Sequence, residues 1–263
     1  MSDTMESSRL HVLQAIEDGW RAFAKSPWTF LLFQAISTLL ALPFAICAVV
    51  AGSHVVIQTG DFPEIEGLTF LHPTGATFLL IFGLIGYAIA ILWCIVGLTR
   101  GAWSAMEGRK PQFSTFTRWD SRATGRLLLN WIVISLMFAV ITLVSLFSIG
   151  LATNINQALA IIPAIAGLAA YTYMAINQKF WIQASLLKQE NPFGNIQRSR
   201  AKVDPSWGWV ALFAIAEFII HAIATGFSLG GLFVIFPVIV CISTAAYRQL
   251  FGTTDQTGFL SES

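Results

Sequence analysis

The sequence predicts an all-α integral membrane protein with six transmembrane helices arranged as three hairpins, each preceded by a cytoplasmic amphipathic helix. Three observations predict it. The 263 residues are 56% hydrophobic and only 11% charged, with a mean hydropathy of +0.69, whereas a soluble domain carries about 25% charged residues. Six apolar segments, roughly 28–57, 77–98, 127–151, 157–181, 207–226 and 229–247, each approach or exceed the ~20 residues that cross a ~30 Å hydrocarbon core. One local grammar also recurs, at Val12–Gln34, Phe113–Trp131 and Asn191–Leu212: an amphipathic run, then an apolar span entered through tryptophan. The chain 1–263 reads as a single polytopic domain with flexible tails at 1–8 and 252–263.

Residues Met1–Lys25 contain acids and no apolar core, so a cleaved signal peptide is not expected. From Val12 onward, Val12, Ile16, Trp20 and Phe23 recur at helical spacing, with Gln14, Asp18, Arg21 and Lys25 on the opposite side. Beside a membrane span, such a helix is expected to lie in the interface. Trp20 and Phe23 would then point inward, and Arg21 and Lys25 toward lipid phosphates. Pro27 suits the first turn of the first span. Pro43, Pro163 and Pro237 fall inside the first, fourth and sixth spans, where kinks are expected.

The connection 51–76 carries His54, Asp61, Glu64, Glu66 and His72. It reads as a solvated loop, because its acids have no divalent-cation ligand pattern. Before the third span stand Arg118, Trp119, Arg122 and Arg126. Before the fifth stand Arg198 and Lys202, then Asp204-Pro205 with Trp207 and Trp209. All are read as contacts to lipid or to a partner protein.

Charge placement orients the chain. All fifteen Lys and Arg fall at one side of the six spans, and the connections 51–76, 152–156 and 226–230 carry none. By the positive-inside rule both termini are cytoplasmic, in a bacterial inner or other internal membrane. The nine tryptophans gather toward the same side. The net charge of +1 gives no field that would recruit nucleic acid, so none is expected as a partner. Cys47, Cys94 and Cys241 lie in apolar runs and read as small buried residues.

Inside the membrane one acid stands out. Glu217 lies about 15 Å past Trp207 along a helix, and His221 shares its helical face. An intramembrane ionisable pair serves as packing glue, as a proton-coupled site, or, through the imidazole, as a ligand to pigment or haem. Asn177, Gln178 and Lys179 end the fourth span and read as interfacial. The chain has no HExxH, no GxSxG and no phosphate-binding glycine loop. Neither an enzyme, a metal nor a cofactor is expected, while bound lipid is.

The pre-span runs carry a resemblance. They are Gly19-Trp20-Arg21-Ala22-Phe23 with Pro27, Gly97-Leu98-Thr99-Arg100-Gly101 leading to Pro111–Phe116, and Gln183-Ala184-Ser185 leading to Ile196–Ser199 and Ala201–Val203. In layout the chain resembles bacterial six-span membrane proteins of the DUF975 and YciC type, and the membrane domain of some glycerophosphodiester phosphodiesterases. The resemblance implies topology and no activity, since no phosphodiesterase catalytic domain is present. The functional expectation is a non-enzymatic accessory, scaffold or assembly subunit that packs against a larger membrane complex or a second copy, or organises lipid. The alternative is a small proton-coupled transporter or channel using Glu217 and His221, and the third reading is a pigment-binding subunit using His221.

Overall fold

Prolines and capping side chains divide the chain. Helix α1 (Val12–Ala24) stops just before Ser26, because the residue preceding a proline disfavours the helical region. Pro27 then opens α2 (Pro27–Thr59) where its missing N–H costs nothing. Pro73 does the same for α3 (Pro73–Met106). That helix ends in a Schellman turn: Gly108, at φ +86°, donates to the Ala105 carbonyl, and Arg109 N–H reaches back to Ser104 O at 3.2 Å. After the short α4 (Phe113–Thr117), Asp120 caps α5 (Ser121–Ile155) by accepting from Ala123 N–H at 2.9 Å. One 3-10 turn (Gln157–Ala160) leads into α6 (Ile161–Asn177), and α7 (Trp181–Leu187) follows a break at Gln178–Phe180. Asn191 caps α8 (Pro192–Val203), and the 3-10 turn Asp204–Ser206 leads into α9 (Trp207–Phe227) and α10 (Leu229–Phe251).

This computed structural model describes residues 9–59, 72–227 and 229–261, all of whose regular elements are helical. It contains six helices long and apolar enough to cross a membrane, as in a multi-pass membrane protein. Asp61, Glu64 and Glu66 lie outside the described residues. Two expectations change in detail. The run 113–131 is two helices broken at 118–120, and Pro163 sits in the first turn of α6, where a proline is tolerated. Pro43 and Pro237 do lie inside their helices.

Burial is concentrated at one end of the helices, the end that carries the basic residues. The largest fully buried side chains include Phe30, Phe33, Trp103, Phe116, Phe180, Phe213, Tyr247 and Phe259. Toward the other end Leu39, Val49, Phe78, Leu143, Phe147, Ile162, Leu168 and Phe218 are exposed. The charged half of α10 is the centre of the core, with every residue from 241 to 247 buried. Around it, Trp103 of α3 and Phe251 contact the Tyr247 ring, and Phe180 reaches it edge-on.

Helix α1 packs one face against α10. Val12, Ala15, Gly19, Ala22 and Phe23 are its buried residues, and Gly19 meets the backbone of Ile242 in α10. Phe23 turns inward onto Phe30 at 5.6 Å, whereas Trp20 stays 55% exposed. Lys25 Nζ donates to the Ala105 carbonyl at 2.6 Å, capping α3 from outside, and Arg21 pairs with Glu17 on its own helix. The reason is packing: small residues at 15, 19 and 22 give α1 a flat face that approaches α10 more closely than a lipid surface would reward.

The segment 252–261, expected as part of a flexible tail, is folded against the charged end. Gln256 N–H donates to Leu187 O at 2.9 Å, Thr257 Oγ1 donates to Leu186 O at 2.7 Å, and Lys188 Nζ donates to Thr254 O at 3.1 Å. Desolvation, with the Arg198 guanidinium nearby, pushes the Lys188 ammonium below its ordinary range. Phe259 is buried against the guanidinium of Arg100, 4.5 Å from its ring centre. Removing a buried phenyl ring costs about 3–5 kcal/mol when the site cannot open, but a terminal segment can detach locally before the core does. Phe259→Ala is therefore expected to leave the unfolding midpoint nearly unchanged while exposing residues 252–261 to limited proteolysis. Equal cleavage of variant and parent protein would show that Phe259 does not hold the tail.

Candidate functional site

The clearest chemistry inside an apolar helix gathers on Glu217. This residue sits mid-way along α9 and is only 3% exposed. The α9 and α10 helices pack side by side, which brings the Ser243 hydroxyl to donate to Glu217 Oε1 at 2.6 Å. The other carboxylate oxygen pairs with Lys179 Nζ, from the break between α6 and α7. Phe180 anchors that break by packing on Phe213 and Phe251, each at 5.9 Å. The adjacent Lys179 side chain is thereby held over the carboxylate. A buried carboxylate is costly unless it is paired and hydrogen-bonded, and Glu217 has both a lysine and a hydroxyl within reach.

Beside the pair lies a cavity of about 350 Å³. Lys179, Gln178, Gln183, Thr99 and Ser243 supply its polar lining, and its remaining wall is mostly apolar, from Ile95 and Ile134 to Ile239. The Gln178 amide donates to Ile196 O at 3.3 Å, so α8 closes over this region. A second polar contact, Asn195 Nδ2 to Asn130 Oδ1 at 3.3 Å, ties α8 to α5. Asn177, only 1% exposed, has neither amide atom in a hydrogen bond. The arrangement joins α5–α10 through polar contacts, with Glu217 engaged by Lys179 and Ser243, which themselves line the cavity.

The expected pair Glu217–His221 is not formed. His221 is exposed on α9, while Glu217 turns to Lys179 and Ser243. A residue four positions along a helix shares a face, but a carboxylate with a lysine in reach gains more from an ion pair than from a neutral imidazole. Among the described residues, no three His, Cys, Asp or Glu side chains come together as a metal site.

The remaining predicted contacts divide in two. Trp119 and Trp209 are 54% and 46% exposed, and Arg122 and Lys202 are also exposed, as a surface that meets lipid or a partner requires. Arg126, Arg198, Arg118 and Trp207 instead make contacts inside the chain. Arg126 donates to the carbonyls of Ser185 and Leu186 at 3.2 and 3.1 Å, and Arg198 pairs with Glu190. Arg118 donates to Ser261 O at 2.8 Å, and Trp207 stacks on Tyr173. Sequence reasoning missed Lys179 as a site residue, since at a span end it carries the same signal as any boundary lysine. The sole cue was the run Asn177-Gln178-Lys179, three polar residues where an interfacial helix end needs one.

No protein-family model, curated protein or solved structure matches the chain.

Proposed function

We propose that this chain is a non-enzymatic accessory or scaffold subunit, a bacterial membrane protein with both termini cytoplasmic, that packs against a larger membrane assembly. One observation carries the reading. The apolar window of the stretch Gln157–Leu187 is 0% buried and that of Ser121–Ile155 only 6%, against 61% for Phe233–Phe251. Spans associate through close packing and interhelical hydrogen bonds. Two spans that bury almost nothing within their own chain have their faces free for lipid or another protein. The three hairpins with amphipathic helices at the basic end, and kinship with the DUF975 and YciC-type proteins, belong to the same proposal. They rest on the pre-span runs and on charge placement.

The test is the mass of the complex after gentle extraction, with its components identified. A large assembly is expected, and substitutions such as Leu143→Glu and Leu168→Glu, at exposed positions of α5 and α6, are expected to release the chain from it. A particle containing only this chain and lipid would overturn the scaffold reading. The cavity beside Lys179 and Ser243 favours a second reading, a small carrier. In that case Glu217→Gln abolishes flux in proteoliposomes while the protein stays folded.

A further inference from the structure

A second cavity, of about 480 Å³, opens at the charged end of α3. It forms because the Schellman turn at Gly108 reverses the chain, so that α4 lies back along α3, with Phe116 seated against Gly97 and Gly101. Its walls carry Arg100, Ser104, Lys110, Ser114, Thr115 and Arg118. Arg109 also lines it and is paired with Glu107. Four cations thus face a space whose nearby acids are Glu107 and Asp120.

Arg100 is the unusual member. It is 4% exposed, and only its Nη1 is bonded, donating to Arg118 O at 2.9 Å. Its Nε and Nη2 are buried without a hydrogen bond, and its one counterion among the described residues is Asp120, which forms a long ion pair with Nη2 at 3.6 Å. A buried guanidinium with unsatisfied donors is costly, and the group that satisfies a planar fork of N–H donors is a carboxylate or a phosphate. Hydroxyls at Ser104, Ser114 and Thr115 add donors of the kind that complete a phosphate site. The cavity also sits at the basic end of the apolar stretch Thr74–Met106, and phospholipid headgroups flank the hydrocarbon core that such a stretch is long enough to cross. Leu260, from the segment 252–261, forms one rim, with Phe259 covering the face of Arg100. Access to Nε and Nη2 therefore involves movement of that segment.

We propose that this pocket binds a phosphate oxyanion, supplied either by an anionic lipid headgroup or as free phosphate, with Arg100 as its principal ligand. The proposal does not depend on the scaffold reading, since the pocket lies apart from the exposed faces of α5 and α6.

The test uses the full-length protein in detergent, with native mass spectrometry and thermal unfolding. Probes are phosphatidylglycerol, phosphatidylcholine and inorganic phosphate. Retention of phosphatidylglycerol over phosphatidylcholine, reduced about tenfold in Arg100→Gln, supports the site with lipid as its source. Stabilisation by inorganic phosphate alone, lost in the same variant, supports it with free phosphate as the source. Should Arg100→Gln not fold, Lys110→Gln combined with Ser114→Ala changes only the rim and is expected to weaken binding. Arg200→Gln, which removes an exposed charge outside the pocket, is expected to leave binding unchanged. The proposal is overturned if neither phosphatidylglycerol nor inorganic phosphate binds, if the pocket variants bind like the parent protein, or if Arg200→Gln weakens binding as much as they do.

Discussion

Glu217→Ala is expected to lower unfolding stability by about 3–5 kcal/mol, while replacing both charges, Glu217→Leu with Lys179→Met, restores most of it. The single substitution leaves the Lys179 ammonium with no counterion and strips the Ser243 hydroxyl of its acceptor. The Lys179 side chain keeps 27% exposure, against 4% for Glu217. Loss of the lysine alone is therefore the harsher single change, because the carboxylate it strands has almost no access to water. Lys179→Met should cost at least as much as Glu217→Ala. The double replacement removes both desolvation costs together and fills the space with apolar groups, which for buried pairs is often neutral or better. Reversible unfolding of the parent, Glu217→Leu, Lys179→Met and the double variant in one detergent gives the cycle. Additive losses would show that the two charges act independently, and that the pair is not what joins α6 and α7 to α9.

Much of this architecture was legible because hydropathy and charge are local properties. The spans predicted at 207–226 and 229–247 correspond to helices Trp207–Phe227 and Leu229–Phe251, and the first span to Pro27–Thr59. The gathering of basic residues at one end was equally readable. What the sequence hid are contacts between distant positions. Glu217 stands out in its span but Lys179 reads as a boundary lysine, and only the break at Gln178–Phe180 brings the two together. The segment 252–261 has the composition of a loose tail, small and polar with two glycines. It folds down because the carbonyls of Leu186 and Leu187 and the space above Arg100 are waiting for it. Arg126 looked like a lipid anchor for the same reason: an arginine near a span start carries one signal whether it meets a phosphate or the carbonyls of Ser185 and Leu186. The helical face of α1 shows the limit most directly. Of the apolar positions that mark it as amphipathic, Val12 and Phe23 are buried and Trp20 stays exposed, and the small residues Ala15, Gly19 and Ala22 complete the contact face.

That contact predicts the second large effect. A Cβ on Gly19 would lie 2.4 Å from Ile242 Cα and 2.6 Å from its backbone nitrogen. Backbone cannot swing aside as a flexible side chain does, so Gly19→Leu must move α1 bodily off α10. Overpacking a well-packed core costs typically about 1–3 kcal/mol and more where nothing relaxes; about 3 kcal/mol or greater is expected here. The losses extend along the helix: Phe23 leaves Phe30, and Lys25 leaves the Ala105 carbonyl. Hydrogen exchange should accelerate across residues 12–25 before it does so in α10, because α1 can detach while the rest of the core holds. Gly208→Ala is the matched control, since its Cβ meets nothing within 4 Å. In a helix that change should be neutral or stabilising by up to about 1 kcal/mol. If Gly19→Leu unfolds at the parent midpoint with unchanged exchange in α1, then α1 is not docked on α10, and the surface-helix expectation from its large side chains would be the better account.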